Sequence, residues 1–275
     1  MSAVALPAEA INFVCTLVRQ QSAIELDAAK AYLIEARLGP VAKKHGYPNT
    51  SELVRNMQAL PKRELQQQVV EALTTNETSF YRDIHPFDAL RGTIIPQILR
   101  TRSAQRTLNI WSAACSTGQE AYSIAMLLRD HFPELNSWKV SILGTDLSEE
   151  VLAKARAGRF SQIEMNRGLP ATLLAKHFRR DGLNWELSPD IRNMATFSKL
   201  NLIERWPQLP VMDVVFLRNV LIYFSPATKK MILEKIRAVM APHAVLFLGA
   251  AETTMNLDAE FVRVQVGNQV FYTRK

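Results

Sequence analysis

Four short apolar runs, kept apart by stretches of helix length, constrain this chain more than any other feature. The runs lie at 108–112, 138–143, 212–218 and 244–248, and helical spacing fills 119–130, 148–157 and 226–240 between them. Strands that alternate with helices form parallel βαβ units covered on both faces, so a doubly wound, Rossmann-like α/β sheet is expected. The stretch 261–273 reads as two more strands joined at Gly267-Asn268, a hairpin signal. The rhythm fails over about 159–197. There Asp181-Gly182 and Ser188-Pro189 punctuate the chain and Leu183, Trp185 and Leu187 alternate between them, which predicts a small antiparallel β insertion.

Residues 8–73 have a different texture, with no period-two alternation. Ile11, Val14, Cys15 and Val18 recur at helical spacing. A second helix is predicted over 27–38, ended by the breaker pair Gly39-Pro40. A third starts near Ser51 with Thr50 or Ser51 as its cap, and a fourth spans 62–73, entered through Pro61 as a first-turn proline. The expected division is therefore an all-helical domain at 1–75, a linker at 76–106, and an α/β domain at 107–275 that carries the insertion.

The 275 residues, 48% hydrophobic and 21% charged, suffice for a core without staples. Cys15 and Cys115 have neither disulfide-framework nor metal spacing, so no metal is expected and free thiols point to a reducing cytoplasm. Neither a signal peptide nor a bilayer-spanning run is visible, so direct membrane insertion is not expected. The net charge of +7 hints at an acidic partner or a solvated basic surface. It is concentrated locally: Lys30, Arg37, Lys43, Lys44, Arg55, Lys62 and Arg63 face only Glu35 and Glu52 within 30–63.

Ligands of open parallel sheets bind at the carboxyl ends of the strands. The first strand leads into Ser112-Ala113-Ala114-Cys115-Ser116-Thr117-Gly118, small residues with a single glycine, which make either a ligand-approachable loop or a plain tight turn. Asp146 ends the second strand, where an acid either accepts hydrogen bonds from a ribose diol or favours a helix N-terminus. A ribose acid without a phosphate-binding glycine pattern suits a nucleoside cofactor lacking pyrophosphate. S-adenosyl-L-methionine fits, and no G-x-x-x-x-G-K-[ST] motif supports nucleotide hydrolysis.

Five segments, in order, carry a closer likeness: 73–82 (LTTNETSFYR), 111–123 (WSAACSTGQEAYS), 144–147 (GTDL), Asn201-Leu202, and 218–224 (RNVLIYF). Together they resemble the CheR-type chemotaxis receptor methyltransferases, the protein-glutamate O-methyltransferases, along nearly the whole chain. The resemblance implies a class I methyltransferase domain behind a helical receptor-docking domain, with S-adenosyl-L-homocysteine as the product. It implies cofactor contacts from Asn76, Thr78, Arg82, Glu120 (the amino-acid end), Asp146 (the ribose), Asn201 and Leu202 (the adenine), Arg218 and Asn219. Arg82 and Tyr223 are expected to orient the acceptor carboxylate.

The implied partners are cytoplasmic helices of chemoreceptors, docked by Lys30, Arg37, Lys43 and Lys44. Nucleic acid is not expected, and a monomer is the default. In some family members the β-subdomain adds a receptor's C-terminal pentapeptide as a strand; the short turn at Asp181-Gly182 implies that this chain does not depend on it. Two departures from the family pattern stand out: arginine is sparser at the docking helix than is usual, and Ala250-Ala251 stands before Glu252 where a His-Ser pair is common. The competing readings are an RNA or small-molecule methyltransferase and a non-catalytic receptor-binding module. Arg218-Asn219-Val220-Leu221 stands where a nucleobase amine methyltransferase carries N-P-P-[FY], and joint retention of Arg82, Asp146, Asn219 and Tyr223 argues for catalysis.

Overall fold

The computed structural model describes residues 6–275; the first five, where the stretch read as lacking a leader begins, lie outside it. The chain forms two compact units. One holds the described residues through Thr75 together with Tyr223–Thr228, and the other holds Asn76–Ile222 and Lys229–Lys275.

The first unit contains α1 (Ala8–Ser22), α2 (Ala31–Lys44), α3 (Thr50–Ala59) and α4 (Arg63–Leu73). Each buries one stripe, such as Val14, Leu17 and Val18 on α1 and Ile34, Leu38 and Ala42 on α2. Gly39-Pro40 does not end α2, contrary to the sequence expectation. Proline removes one i→i−4 hydrogen bond, but Pro40 points to solvent while Leu38 and Ala42 on either side of it are buried. Packing of the apolar stripe outweighs the local penalty. The cap of α3 is Asn49, whose side chain accepts from the Glu52 amide at 2.9 Å, in place of Thr50 or Ser51. Pro61 precedes α4 instead of occupying its first turn.

In the second unit, residues expected to form a linker make a helix instead. α5 (His85–Ala89) passes through a π-helical turn (Leu90–Ile94) into α6 (Ile95–Thr101). Phe87, Leu90, Ile95 and Ile98 are buried in the main core, so this segment belongs to the domain. Then follow β1 (Thr107–Ala113), α7 (Gln119–His131), β2 (Lys139–Asp146), α8 (Glu149–Ala157), β3 (Arg159–Ser161), α9 (Gln162–Met165), α10 (Ala171–His177), β4 (Phe178–Asp181), β5 (Asn184–Leu187) and α11 (Pro189–Arg192). β6 (Ala195–Lys199), β7 (Met212–Leu217), α12 (Pro226–Val239), β8 (Met240–Leu248), β9 (Phe261–Val266) and β10 (Gln269–Arg274) complete the chain.

The main sheet has the order β6-β2-β1-β7-β8-β10-β9. β6, β2, β1, β7 and β8 are parallel, and β10 runs antiparallel to both β8 and β9. The insertion is the antiparallel sheet β3-β5-β4. It is shorter than the 159–197 expected, because Ala195–Lys199 pairs with β2 as a strand of the main sheet. Leu183 does not share the alternation of Leu187; it sits 88% exposed in the turn between β4 and β5.

Candidate active site

The strand order reverses between β1 and β7, so the loops after these strands diverge and leave a crevice at their carboxyl ends. Ala113 is in register with Thr145 on one side and Leu217 on the other, which brings the ends of β1, β2 and β7 to one level. The loop after β1 turns sharply, with Ala114 at φ 57° and Ser116 at φ 51°. Asp146 holds it: Oδ2 accepts from the Ser116 amide at 2.9 Å and Oδ1 from the Ser148 amide at 3.0 Å. A carboxylate offers about four acceptor sites on its two oxygens, so anchoring a loop and accepting from a ribose hydroxyl are compatible roles for one acid. Gly118 takes φ 91° ahead of α7, a conformation that favours glycine, and it also serves packing. A Cβ there would lie 3.0 Å from Ala155 and 3.2 Å from Phe197, so the glycine lets α7 approach its neighbours.

A strap over residues 76–83 closes one side of the crevice. The Asn76 carbonyl accepts from Ser116 Oγ at 2.7 Å, and the Tyr81 amide donates to Ser123 Oγ at 3.0 Å. Phe80 is fully buried, edge-on to Phe160 and Phe178. Tyr81 and Asp83 take left-handed φ of 47° and 53°, a conformation costly for residues with a Cβ. Arg82 donates Nη1 to the Glu77 carbonyl at 2.9 Å and remains half-buried. Thr78 lies on the same strap.

Arg218, at the end of β7, ties the strap to the crevice. Its side chain is 2% exposed; Nη1 meets Glu120 Oε2 at 2.8 Å and Nη2 meets Asp83 Oδ2 at 3.0 Å. Nη2 also donates to the Arg82 carbonyl at 2.7 Å, while Nε is buried without a partner among the described residues. The other oxygen of Glu120 accepts from Ser112 Oγ at 2.7 Å. Two carboxylates thus surround one guanidinium, and Asp146 adds a third acid to the crevice. This surplus of negative charge complements the ammonium and sulfonium of S-adenosyl-L-methionine and opposes a pyrophosphate. The buried Cys115 thiol is pushed up, first by burial and then by the charges of Asp146 and Glu120, and it stays protonated.

Residues 76–270 match the CheR methyltransferase SAM-binding domain, and residues 9–74 match the CheR methyltransferase all-alpha domain. The chain belongs to the CheR methyltransferase family. It is 39% identical to chemotaxis protein methyltransferase Cher2 of Pseudomonas putida, over 92% of this chain and 93% of that protein. It is also 39% identical to chemotaxis protein methyltransferase 1 of Pseudomonas aeruginosa, over 92% and 93%. A protein of the same name from Vibrio cholerae is 33% identical, with 100% of both chains covered. This CheR-family chain is an S-adenosylmethionine-dependent methyltransferase, and its cofactor is S-adenosyl-L-methionine.

The loop after β6 carries Asn201 and Leu202. The Asn201 carbonyl accepts from Trp206 Nε1 at 3.2 Å, and the Leu202 carbonyl from Lys235 Nζ at 2.8 Å. Lys235 Nζ lies 4.2 Å from the Trp206 ring centroid, and Trp206 meets the buried Trp111 edge-on at 5.2 Å. Burial pulls the Lys235 ammonium down, against the charge of Glu204. Trp206 and Lys235 escaped the sequence reading, since an isolated tryptophan and a helix lysine give no pattern. Asn219 adopts φ 58° beside Arg218. Tyr223 falls in the helical unit, where its carbonyl accepts from the Glu25 amide at 3.0 Å.

Glu252 was also missed as a site residue. Its carboxylate accepts amide hydrogens from Asn219, Val220, Ile222 and Gly249. It lines a cavity of about 320 Å³ with Asp83, His85, Arg218 and Arg263. The docking set is divided. Lys30 and Lys43 are exposed, and the exposed Lys44 donates to Gln68 Oε1 at 3.3 Å. Arg37 instead donates to the Leu73 and Thr74 carbonyls at 2.9 and 3.1 Å. It caps the C-terminus of α4, whose carbonyls lack intrahelical partners, so its guanidinium is not a free docking charge. Among the described residues no helix is long and apolar enough to cross a membrane, and no group of three or more His, Cys, Asp or Glu residues could hold a metal.

Proposed function

We propose that this methyltransferase esterifies glutamate side chains on cytoplasmic helices of chemoreceptors, as part of chemotactic adaptation. The observation that carries this reading is the match to both CheR domains, together with relatives named chemotaxis protein methyltransferases. When bound, S-adenosyl-L-methionine supplies an electrophilic methyl group on a sulfonium. In this reading Asp146 takes the ribose, Glu120 the ammonium end, Asn201 and Leu202 the adenine, and Asn76, Thr78, Arg218 and Asn219 line the rest.

The acceptor chemistry agrees with the residues present. A glutamate, with an ordinary pKa near ~4.3, is already anionic at neutral pH and needs no general base. Attack of a carboxylate on a sulfonium annihilates charge, so exclusion of water favours it and a tight ion pair on the attacking oxygen hinders it. Arg82, with one N–H committed to Glu77, and Tyr223 are assigned to orienting the acceptor at attack distance. The protein is placed in the cytoplasm as a monomer, with no nucleic-acid partner. The hairpin β4–β5 closes directly after Asp181, pairing it with Asn184, which supports independence from a receptor pentapeptide.

The deciding experiment is tritiated methyl transfer to receptor-containing membranes followed by mild alkali. Carboxyl esters release labelled methanol in base, whereas label that survives as N-methyl groups would overturn the reading. Micromolar binding of an isolated pentapeptide in calorimetry would refute pentapeptide independence.

A further inference from the structure

The turn that follows β7 has a structural problem of its own. It carries Asn219, leads into Tyr223, and sets Asn219 in the left-handed region at φ 58°. Four backbone N–H groups around it find an acceptor in one side chain. The Glu252 carboxylate accepts from all four. Oε2 accepts from Gly249 at 2.6 Å and Asn219 at 2.8 Å, and Oε1 accepts from Val220 at 2.9 Å and Ile222 at 3.3 Å. Glu252 also closes its own turn, donating its amide to the Gly249 carbonyl at 2.9 Å. One charged side chain therefore fastens the end of β7 to the end of β8.

Gly249 makes room for this carboxylate. A Cβ at 249 would lie 2.7 Å from both Glu252 Oε2 and Asn219 Nδ2, and 2.8 Å from the Asn219 amide nitrogen. No left-handed φ accounts for the glycine, so it is required by the approach of Glu252 and Asn219. The cavity of about 320 Å³ shares Gly249 and Glu252 with this anchor and Arg218 with the crevice, so a shift of the turn would reshape it.

We propose that Glu252 is a positioning residue of the methyl-transfer reaction, holding residues 219–222 in the conformation that transfer requires. In this role it acts through the backbone of the turn. Only a carboxylate of this length does so. A glutamine of the same shape offers one acceptor oxygen and turns an NH2 toward backbone donors. An aspartate is one methylene too short to reach both pairs of amides. The role rests on the assigned methyl transfer for its kinetic consequence, but not for its structural one.

Glu252→Gln, Glu252→Asp and Gly249→Ala in the full chain test it by backbone hydrogen exchange and steady-state kinetics. Exchange at Asn219, Val220 and Ile222 is expected to quicken about tenfold or more in all three, from loss of a charged, partly buried acceptor, while α7 and β1 keep their protection. A turn displaced by about 1 Å should lower kcat about 100-fold, with the acceptor KM little changed. Unchanged local exchange, or wild-type kcat alongside quickened exchange, overturns the proposal. A protection loss spread over the whole domain would do the same, since it marks Glu252 as a general fold element. An inactive wild type would instead sink the functional reading, and the exchange measurement would still decide whether Glu252 anchors the turn.

Discussion

Arg218 carries a charge that water barely reaches, so its partners decide what variants around it do. Glu120 and Asp83 are both within 3.0 Å of it, but the Asp83 side chain is 45% exposed and the Glu120 side chain only 13%. Glu120 is therefore the stronger partner. Glu120→Ala should cost about 3 kcal/mol, because it leaves a buried guanidinium short of its main counter-charge; urea unfolding reads this. Cofactor affinity should fall as well, since the negative surplus that suits a sulfonium is reduced. Arg82 is different: its guanidinium makes one hydrogen bond to a carbonyl of its own strap. Arg82→Ala should leave the melting temperature within a few degrees of wild type and lower kcat by 10-fold or more, with the cofactor Kd changed much less. Tyr223→Phe should show the same split. Wild-type turnover in either variant would remove that residue from the reaction.

At the scale of elements, α7 and the insertion share a polar clamp. Asp130, near the end of α7, accepts from His177 Nε2 at 3.0 Å and pairs with Lys176 at 2.7 Å, where α10 meets β4. Burial raises the Asp130 carboxyl, but hydrogen bonds from Lys176 and His177 and their charges outweigh it and hold the group below its ordinary range. A carboxyl depressed in the folded state contributes stability above its unfolded pKa of ~3.9 and loses it as pH falls through the folded value. Asp130→Asn should therefore melt below wild type at pH 7, and the two curves should begin to approach near about pH 4 and meet only below the depressed folded value. The π-bulged helix of 85–101 and the strand Ala195–Lys199 mark where sequence patterns ran out. Phe87, Leu90, Ile95 and Ile98 are apolar at helical spacing, but Pro86, Gly92 and Pro96 interrupt the stretch and suggest a linker. Ala-Thr-Phe-Ser-Lys is too polar to read as a buried strand, because an edge strand covers one face only. The four central strands, in contrast, were legible because burial on both faces leaves continuous apolar runs. Pro40 shows the converse error, a local breaker overridden by packing. Pro40→Ala should restore the N–H hydrogen bond to a carbonyl of the preceding turn and stabilise the helical unit by about 1–3 kcal/mol, less what the freer unfolded chain takes back.

For the molecule as a whole, the net charge of +7 bears on how an acidic acceptor is found. The candidate site was legible in part: Asp146 stands out at the end of its strand, while Glu120 in the first turn of α7 and Arg218 after β7, named through the family resemblance, meet in an ion pair. It was illegible where chemistry lies in backbone amides, since nothing in Gly249-Ala250-Ala251-Glu252 declares that one carboxylate holds four of them. The docking charges fall between these cases, because sequence counts a lysine and an arginine alike while the structure separates them. Arg37 is engaged at the end of α4, whereas the Lys30 and Lys43 side chains are exposed, and Lys44 meets a neutral Gln68 oxygen. Arg37→Ala should thus lower the melting temperature of the helical unit and leave the salt dependence of receptor methylation as it is. The double variant Lys43→Ala, Lys44→Ala should leave the melting temperature unchanged, raise the receptor KM several-fold at low salt, and flatten its rise with salt. Exposed charges are screened beyond about 10 Å at 0.1 M salt, so wild type and double variant should converge toward 0.5 M. A receptor KM indifferent to salt in the wild type would locate docking elsewhere, on surface that makes its contacts without charge.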